Sequence, residues 1–246
     1  MGEGWRVNDA DAVAGGVMYR LRVPVLAFLF CVCASISSAQ VAPTAGEVAG
    51  YTGLMQAAQR GDAGDVRRLA AGGADPNARD SYGRTPLHVA TYGRHRDAIA
   101  ALAKAGADIN LQERDRYDAV TIAAVANDPA TLRQLLQLGA SAKAVTSRYD
   151  GTALIAAAHL GHAEVVKLLI EAGAPLDHVN NLGWTALIES IVLGNGGARH
   201  IETLRMLVRA GANVNIADRN RIMPLQLARA RGYAQMVAIL EEAGAK

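Results

Sequence analysis

The most informative stretch of the chain reads Asp80-Ser-Tyr-Gly83-Arg-Thr85-Pro86-Leu87-His88-Val-Ala90. Thr85 can accept a hydrogen bond at the start of a helix, and Pro86 suits the first helical position, which needs no backbone N–H donor. The stretch therefore predicts a helix that begins near Pro86. Leu87 and Ala90 are three residues apart, so they share one face of that helix.

A second helix is predicted in the same segment. Ile99 and Leu102 again share one face. The following sequence, Gly106-Ala107-Asp108-Ile-Asn110, begins with a glycine suited to end the helix. The whole segment resembles the ankyrin repeat, whose pattern is D-x-x-G-x-T-P-L-H-x-A followed by G-A-D-x-N. The resemblance implies two short antiparallel helices and a projecting hairpin, a unit that needs neighbours to bury its apolar face.

This pattern recurs from residue 51 to the end of the chain. The Gly-Ala pairs that close the units begin at Gly73, Gly106, Gly139, Gly173, Gly211 and Gly244. Their spacing of 33 to 38 residues agrees with the ankyrin period of about 33. The first helices repeat an apolar position at Leu54, Leu87, Val120, Leu154, Leu187 and Leu225. The second helices do so at Val66, Ile99, Leu132, Val166, Leu204 and Val237.

The repeats predict an all-α ankyrin-repeat solenoid of about six helix-turn-helix units with short β-hairpin fingers. Charged residues in the first and last units suit the polar ends that a solenoid needs to stay soluble. Three fingers depart from the pattern, because the glycine found as Gly83 and Gly183 is replaced by Arg116, Asp150 and Arg221. Those fingers are expected either to change shape or to hold strained backbone.

Residues 1–39 are predicted to be a secretory signal peptide. A basic flank precedes the apolar run 23–34, and small residues follow up to Ala39. The run is shorter than the roughly 20 residues that span a membrane. The mature chain is then expected to begin at Gln40. Acidic residues before Met18 are unusual in such a signal, so Met18 is an alternative start of translation.

Three segments are therefore expected: the signal peptide, a linker at 40–50 and the ankyrin-repeat domain at 51–246. The linker has no apolar period and is expected to be mobile. Both cysteines, Cys31 and Cys33, lie in the signal segment, so a cleaved chain has no disulfide. The 25 basic and 23 acidic residues are nearly balanced, which gives no indication of nucleic-acid binding.

Catalytic and metal-binding patterns are weak. His159 and His162 lie near Glu164, but zinc needs three or four ligands on converging elements. His162 occupies the Gly-His turn of the ankyrin pattern, which implies a structural role. We therefore expect no catalytic residue, no metal and no cofactor. The glycine-rich loop Gly194–His200 in the fifth unit is the alternative site, since it could cradle an anion at the start of the next helix.

The resemblance implies that partner contacts come from finger tips and from the exposed side of the first helices. The residues at such positions are Tyr82, Arg84, Tyr92, Tyr117, Tyr149, His159, Trp184, Glu189 and Ile222. Tyrosine and tryptophan often anchor interfaces. Tyr117, Tyr149 and Trp184 are predicted to form one recognition strip on successive fingers. The alternative is that these rings pack between neighbouring fingers.

The sequence thus predicts a non-enzymatic protein that binds a partner protein through its concave face. A signal peptide joined to a small ankyrin array resembles the small exported ankyrin-repeat proteins of bacteria. The resemblance implies a location in the periplasm, and we expect a monomer with no membrane anchor once the signal is cleaved. One alternative is a secreted effector that engages a host protein. A second is a binder of small molecules or anions through the Gly194–His200 loop.

Overall fold

A computed structural model describes residues 42–246, and the predicted signal peptide lies outside these described residues. Helices account for the regular structure of this part of the chain. They are α1 (Ala45–Ala49), α2 (Gly53–Arg60), α3 (Ala63–Ala71), α4 (Pro86–Tyr92), α5 (Arg96–Lys104), α6 (Ala119–Val125), α7 (Pro129–Gln137), α8 (Ala153–Leu160), α9 (Ala163–Glu171), α10 (Ala186–Val192), α11 (Ala198–Arg209), α12 (Pro224–Ala230) and α13 (Ala234–Glu242). None of the helices in residues 42–246 is long and apolar enough to cross a membrane.

From α2 onward the helices form six pairs, which confirms the predicted solenoid. The first helices α2, α4, α6, α8, α10 and α12 pack against one another in that order. The second helices pack against their own partners and form a second row, in which α3 contacts α5 and α7 contacts α9. Most helices therefore contact neighbours in the units before and after them, while within residues 42–246 the first and last units contact a neighbouring unit on one side.

Helix starts follow the chemistry predicted for Thr85. The side chains of Thr85, Asp118, Thr152 and Thr185 each accept a hydrogen bond from the backbone N–H three residues later. Met223 cannot cap in this way. Instead the side chain of Gln226 reaches back and accepts the Met223 N–H at 3.0 Å.

The repeated apolar positions form one continuous core. Every first-helix position, from Leu54 to Leu225, has 4% or less of its surface exposed. Small residues three positions later are buried as well, including Ser190, which lets neighbouring helices approach closely. In the second helices the exceptions fall in the end units, where Leu69 and Val237 are only partly buried. Within residues 42–246 the first and last units each pack against a single neighbouring unit, which explains this difference.

The fingers are tight turns rather than the two-stranded hairpins of the sequence prediction. Within residues 42–246 the bridge found between their arms is a single antiparallel pair, Thr146 with Gly151. Backbone and side-chain hydrogen bonds close the turns together. The Asp80 N–H donates to the Arg84 carbonyl at 3.0 Å. Oδ1 of Asp80 accepts the N–H groups of Tyr82 and Arg84 at 2.8 and 2.9 Å.

The three fingers that have another residue in place of the glycine keep the same turn. Arg116, Asp150 and Arg221 keep φ values of 67°, 51° and 62°, in the left-handed region that Gly83 and Gly183 also adopt. Of the two expectations for these fingers, the structure thus shows strained backbone. Non-glycine residues in this conformation cost roughly 1 kcal/mol each.

Polar side chains tie each unit to the one before it. The ring of His95 lies 2.9 Å from the Gln59 carbonyl, and that of His162 lies 3.0 Å from the Ala124 carbonyl. Each imidazole thus hydrogen-bonds to a carbonyl group near the carboxyl end of a first helix, where the last carbonyls have no partner within the helix. The structural role expected for His162 is therefore what the structure shows.

The segment expected to be a linker contains a short helix, α1. Helix α1 begins with a capping box in which Thr44 and Glu47 satisfy each other's backbone N–H groups. Oε2 of Glu47 also lies 3.0 Å from Nη2 of Arg84 in the first finger. The local capping signal and this one ion pair hold a segment that lacks any apolar period.

Candidate functional site

The candidate site is a cavity of about 430 Å³ on the inner side of the solenoid. We call it the inner groove. Its walls come from α6, α8 and Glu189 of α10, and from the fingers at residues 146–152 and 180–182. Three first helices stack side by side behind it, with small buried residues such as Ala123, Ala157 and Ser190 where they meet.

Aromatic and aliphatic side chains make up much of the wall. Tyr117 and Tyr149 line it from successive fingers, together with Ile155 and Leu160 of α8. Tyr117 is only 6% exposed and packs with Ile122 in a small apolar cluster, against which Tyr92 rests. Burial raises the pKa of Tyr117 to about 12, so its hydroxyl stays protonated at neutral pH.

One acidic side chain lies inside this largely apolar groove. Glu189 is 4% exposed, and its Oε1 accepts a hydrogen bond of 3.0 Å from Nδ2 of Asn180. Oε2 is buried and has no hydrogen-bond donor among the described residues. Nδ1 of His159 lies 3.4 Å from it, at ion-pair distance. Buried carboxylates are costly unless paired, so this arrangement favours a positive group beside Oε2.

Asn180 holds the carboxylate in place. Its Oδ1 accepts the N–H groups of Leu182 and Trp184, both at 3.0 Å, which fixes the finger turn. Its Nδ2 is then aimed at Glu189. The sequence analysis did not select Asn180. The signal was present, because Asn180 occupies the finger position of Asp80 and Asp218, whose side chains close equivalent turns.

The inner groove brings together four of the nine residues predicted to contact a partner: Tyr117, Tyr149, His159 and Glu189. Tyr117 and Glu189 were predicted at exposed positions, but neighbouring units bury them to 6% and 4% exposure. Trp184 is half-buried on the next finger, and within residues 42–246 it is not part of the groove wall. Of the three rings predicted to form one strip, Tyr117 and Tyr149 therefore line the groove together and Trp184 does not. Tyr82 and Ile222 are exposed on the first and last fingers, at 45% and 36%.

Arg84 needs a correction. The sequence analysis placed it at an exposed contact position, but it is 2% exposed. Its Nε lies 2.7 Å from Oδ2 of Asp80, which also accepts the Tyr51 hydroxyl at 2.8 Å. The ring of Tyr82 covers the guanidinium at 4.6 Å. Arg84 therefore joins the first finger to α1 through Glu47 and is not available as a surface contact.

His159 and His162 do not form a metal site with a third ligand. Residues 42–246 hold no group of three or more His, Cys, Asp or Glu side chains arranged to bind a metal ion. His162 turns its Nδ1 to the Ala124 carbonyl. Burial lowers the pKa of His162, which keeps this ring neutral at pH 7.

The Gly194–His200 loop is held by its own side chains. Oδ1 of Asn195 accepts the Gly197 N–H at 3.0 Å and lies 3.1 Å from Nδ1 of His200. The Gly197 amide at the start of α11 is thus already occupied, although an anion at this helix end would need it. Part of the insertion extends α11 to 12 residues, against nine in the second helices of the other units.

The chain belongs to the ankyrin repeat family. Residues 27–113 and 120–218 match the family model described as ankyrin repeats, three copies. Ankyrin repeats mediate protein–protein interaction, and the fold is generally a non-enzymatic interaction module.

Individual relatives align with most of the chain. The ankyrin repeat protein YahD of Escherichia coli K12 is 35% identical over 192 residues, which cover 78% of this chain and 95% of YahD. An ankyrin repeat domain from Acinetobacter baumannii AYE is 43% identical with a TM-score of 0.75, covering 78% of this chain and 98% of that domain. The ankyrin repeat domain of Bcl-3, a member of the IkappaB family, is 31% identical with a TM-score of 0.72. The match covers 80% of this chain and 88% of that domain.

Proposed function

We propose that this protein is a non-enzymatic binding module that holds a segment of a partner protein in the inner groove. One observation carries the proposal. The groove combines the aromatic rings of Tyr117 and Tyr149 with the paired polar groups of His159 and Glu189 in one cavity. Rigid aromatic walls with a few fixed polar groups are typical of surfaces that anchor another protein.

A photo-crosslinking experiment tests this proposal. A benzophenone side chain replaces Tyr149 in one variant and Arg133 of α7, on the second-helix row, in the other. Both residues are partly or fully open to solvent, so each variant is expected to fold. After irradiation in the native cells, the variant at 149 is expected to capture a discrete partner band. Capture from position 133 alone would place the binding face elsewhere.

We further propose that the protein works outside the cytoplasm, in the periplasm. The support is the basic flank, apolar run and small residues of segment 1–39. Cell fractionation and amino-terminal sequencing of the native protein test this. A mature terminus at Gln40 in the periplasmic fraction is expected, an intact Met1 or Met18 terminus contradicts it, and recovery in the medium would favour the secreted effector.

A further inference from the structure

We infer that the inner groove takes an arginine or lysine side chain of the bound segment, which pairs with Glu189. This inference rests on the proposed function and names the chemistry of the partner residue. It follows from three features of one cavity: a buried carboxylate with an unsatisfied oxygen, a partly exposed imidazole beside that oxygen, and walls that suit an aliphatic stem.

The carboxylate is set up to receive a cation. Asn180 already satisfies Oε1 of Glu189 at 3.0 Å, which leaves Oε2 as the free acceptor among the described residues. A buried carboxylate oxygen without a donor is expensive. A guanidinium or ammonium group donates hydrogen bonds and supplies the opposite charge, so it satisfies both requirements together.

His159 covers Oε2 in the free protein. Its Nδ1 lies 3.4 Å from Oε2, beyond the usual length of a charge-assisted hydrogen bond. The His159 side chain is 23% exposed, whereas that of Glu189 is 5% exposed, so the imidazole lies nearer the solvent. Rotation of this partly exposed side chain would open the path to the carboxylate. His159 thus holds the place that the basic group of the partner takes.

The walls discriminate between basic side chains and small cations. Ile155, Leu160 and the ring of Tyr149 line the approach to Glu189. Arginine and lysine carry a chain of methylene groups behind the charge, and such stems pack on apolar surface while the charged head reaches a polar group. A bare inorganic cation would leave these walls uncovered.

The test uses four peptides, N-acetyl-Ala-X-Ala-amide, in which X is arginine, lysine, citrulline or leucine. Citrulline has nearly the shape of arginine without its charge. Binding to the purified protein is followed by nuclear magnetic resonance on the side-chain amide of Asn180, the direct neighbour of Glu189. We expect the arginine or lysine peptide to bind at least tenfold more tightly than citrulline and leucine, and the two basic arms tell guanidinium from ammonium.

Variants complete the test. Glu189→Gln keeps an acceptor for Asn180 and is expected to abolish the tenfold preference, while Glu171→Gln, at an exposed carboxylate on α9, keeps it. His159→Ala is expected to tighten binding of the basic peptide because it uncovers Oε2. Equal binding of the arginine and citrulline peptides, or a preference that survives Glu189→Gln, overturns the inference. If the peptide test fails but crosslinking from position 149 still captures a partner, the inference about the basic side chain is overturned and the proposed function stands. If that capture also fails, the inference and the proposed function are both overturned.

Discussion

The imidazole of His88 joins two neighbouring units. Its Nε2 lies 3.0 Å from the carbonyl oxygen of Leu111, and its Nδ1 lies 3.0 Å from the backbone nitrogen of Thr85. A carbonyl only accepts hydrogen bonds, so Nε2 carries the proton and Nδ1 accepts the Thr85 N–H. Only the neutral ring fits both contacts. Burial lowers the pKa of His88 to about 4.

Stability is therefore expected to fall as the pH drops from about 6.5 towards 4. In that window the unfolded chain binds a proton at His88, whose ordinary pKa is about 6.5, and the folded chain does not. Above about pH 6.5 the contribution of His88 to the free energy of unfolding is fully present. By about pH 4, protonation of the unfolded chain lowers that free energy by about 3 kcal/mol. Urea unfolding of the wild type and of His88→Gln at several pH values measures this. The variant should be less stable at pH 7 with a flatter pH profile; an unchanged slope would show that other groups control it.

A leucine in a middle unit is expected to matter more than its equivalent in the first unit. Leu154 on α8 packs between α6 and α10, whereas among the described residues Leu54 on α2 has a neighbouring unit on one side only. Leu154→Ala should cost about 2–5 kcal/mol, and Leu54→Ala should cost less because the end of the array can relax around the cavity. Equilibrium urea unfolding compares the two. A larger loss at Leu54 would contradict the nearest-neighbour account of stability.

Arg84→Ala should be far more damaging than an ordinary surface substitution. It removes the ion pair with Asp80 and the link to Glu47, and it leaves Asp80 with an unpaired charge in a nearly closed environment. Breaking such a pair costs about 3 kcal/mol or more. Arg68→Ala is the matched control, because Arg68 pairs with Asp65 in the open and such pairs are worth about 1 kcal/mol at most. Thermal unfolding of both variants decides the matter, and equal shifts would show that Arg84 is not a structural link.

The left-handed finger positions offer a second matched pair. Gly183 has φ of 83°, and an added Cβ would lie 2.4 Å from the Arg219 side chain and 3.1 Å from its backbone nitrogen. Gly183→Ala should therefore cost about 1 kcal/mol or more. Arg221→Ala should stay within about 0.5 kcal/mol, because arginine already holds the same strained conformation there. Comparable losses in the two variants would mean that backbone conformation is not the deciding factor.

The repeated core could be predicted from the sequence because each position is set by local helix periodicity and by a fixed spacing between units. Leu154 and Leu204 were selected in this way, and both are fully buried. The left-handed conformation at Arg116 was one of the two outcomes expected from the position of Gly83 in the pattern, the other being a reshaped finger. Such features depend only on the residues of one unit and on the presence of neighbours.

Other features depend on contacts between distant segments, which periodicity does not encode. Arg84 is buried with Glu47 of α1 3.0 Å from its guanidinium, yet the sequence of α1 has no apolar period. Glu189 is buried by the stacking of α8 and α10 and is held by Asn180, nine residues away. The sequence predicted an exposed Glu189 on the first helix of its unit, whereas the packing of three units buries it.

The central claim is that the inner groove binds the partner protein. The most direct measurement is a titration with the partner captured by crosslinking, followed by fluorescence. Trp184 is the only tryptophan in residues 42–246 and lies on the finger that bears Asn180, so it reports on this side of the solenoid. Tyr149→Ala is expected to weaken binding by about 2 kcal/mol, while Arg133→Ala on α7 leaves the affinity unchanged. If Tyr149→Ala binds as tightly as the wild type with its fold intact, the groove is not the binding site.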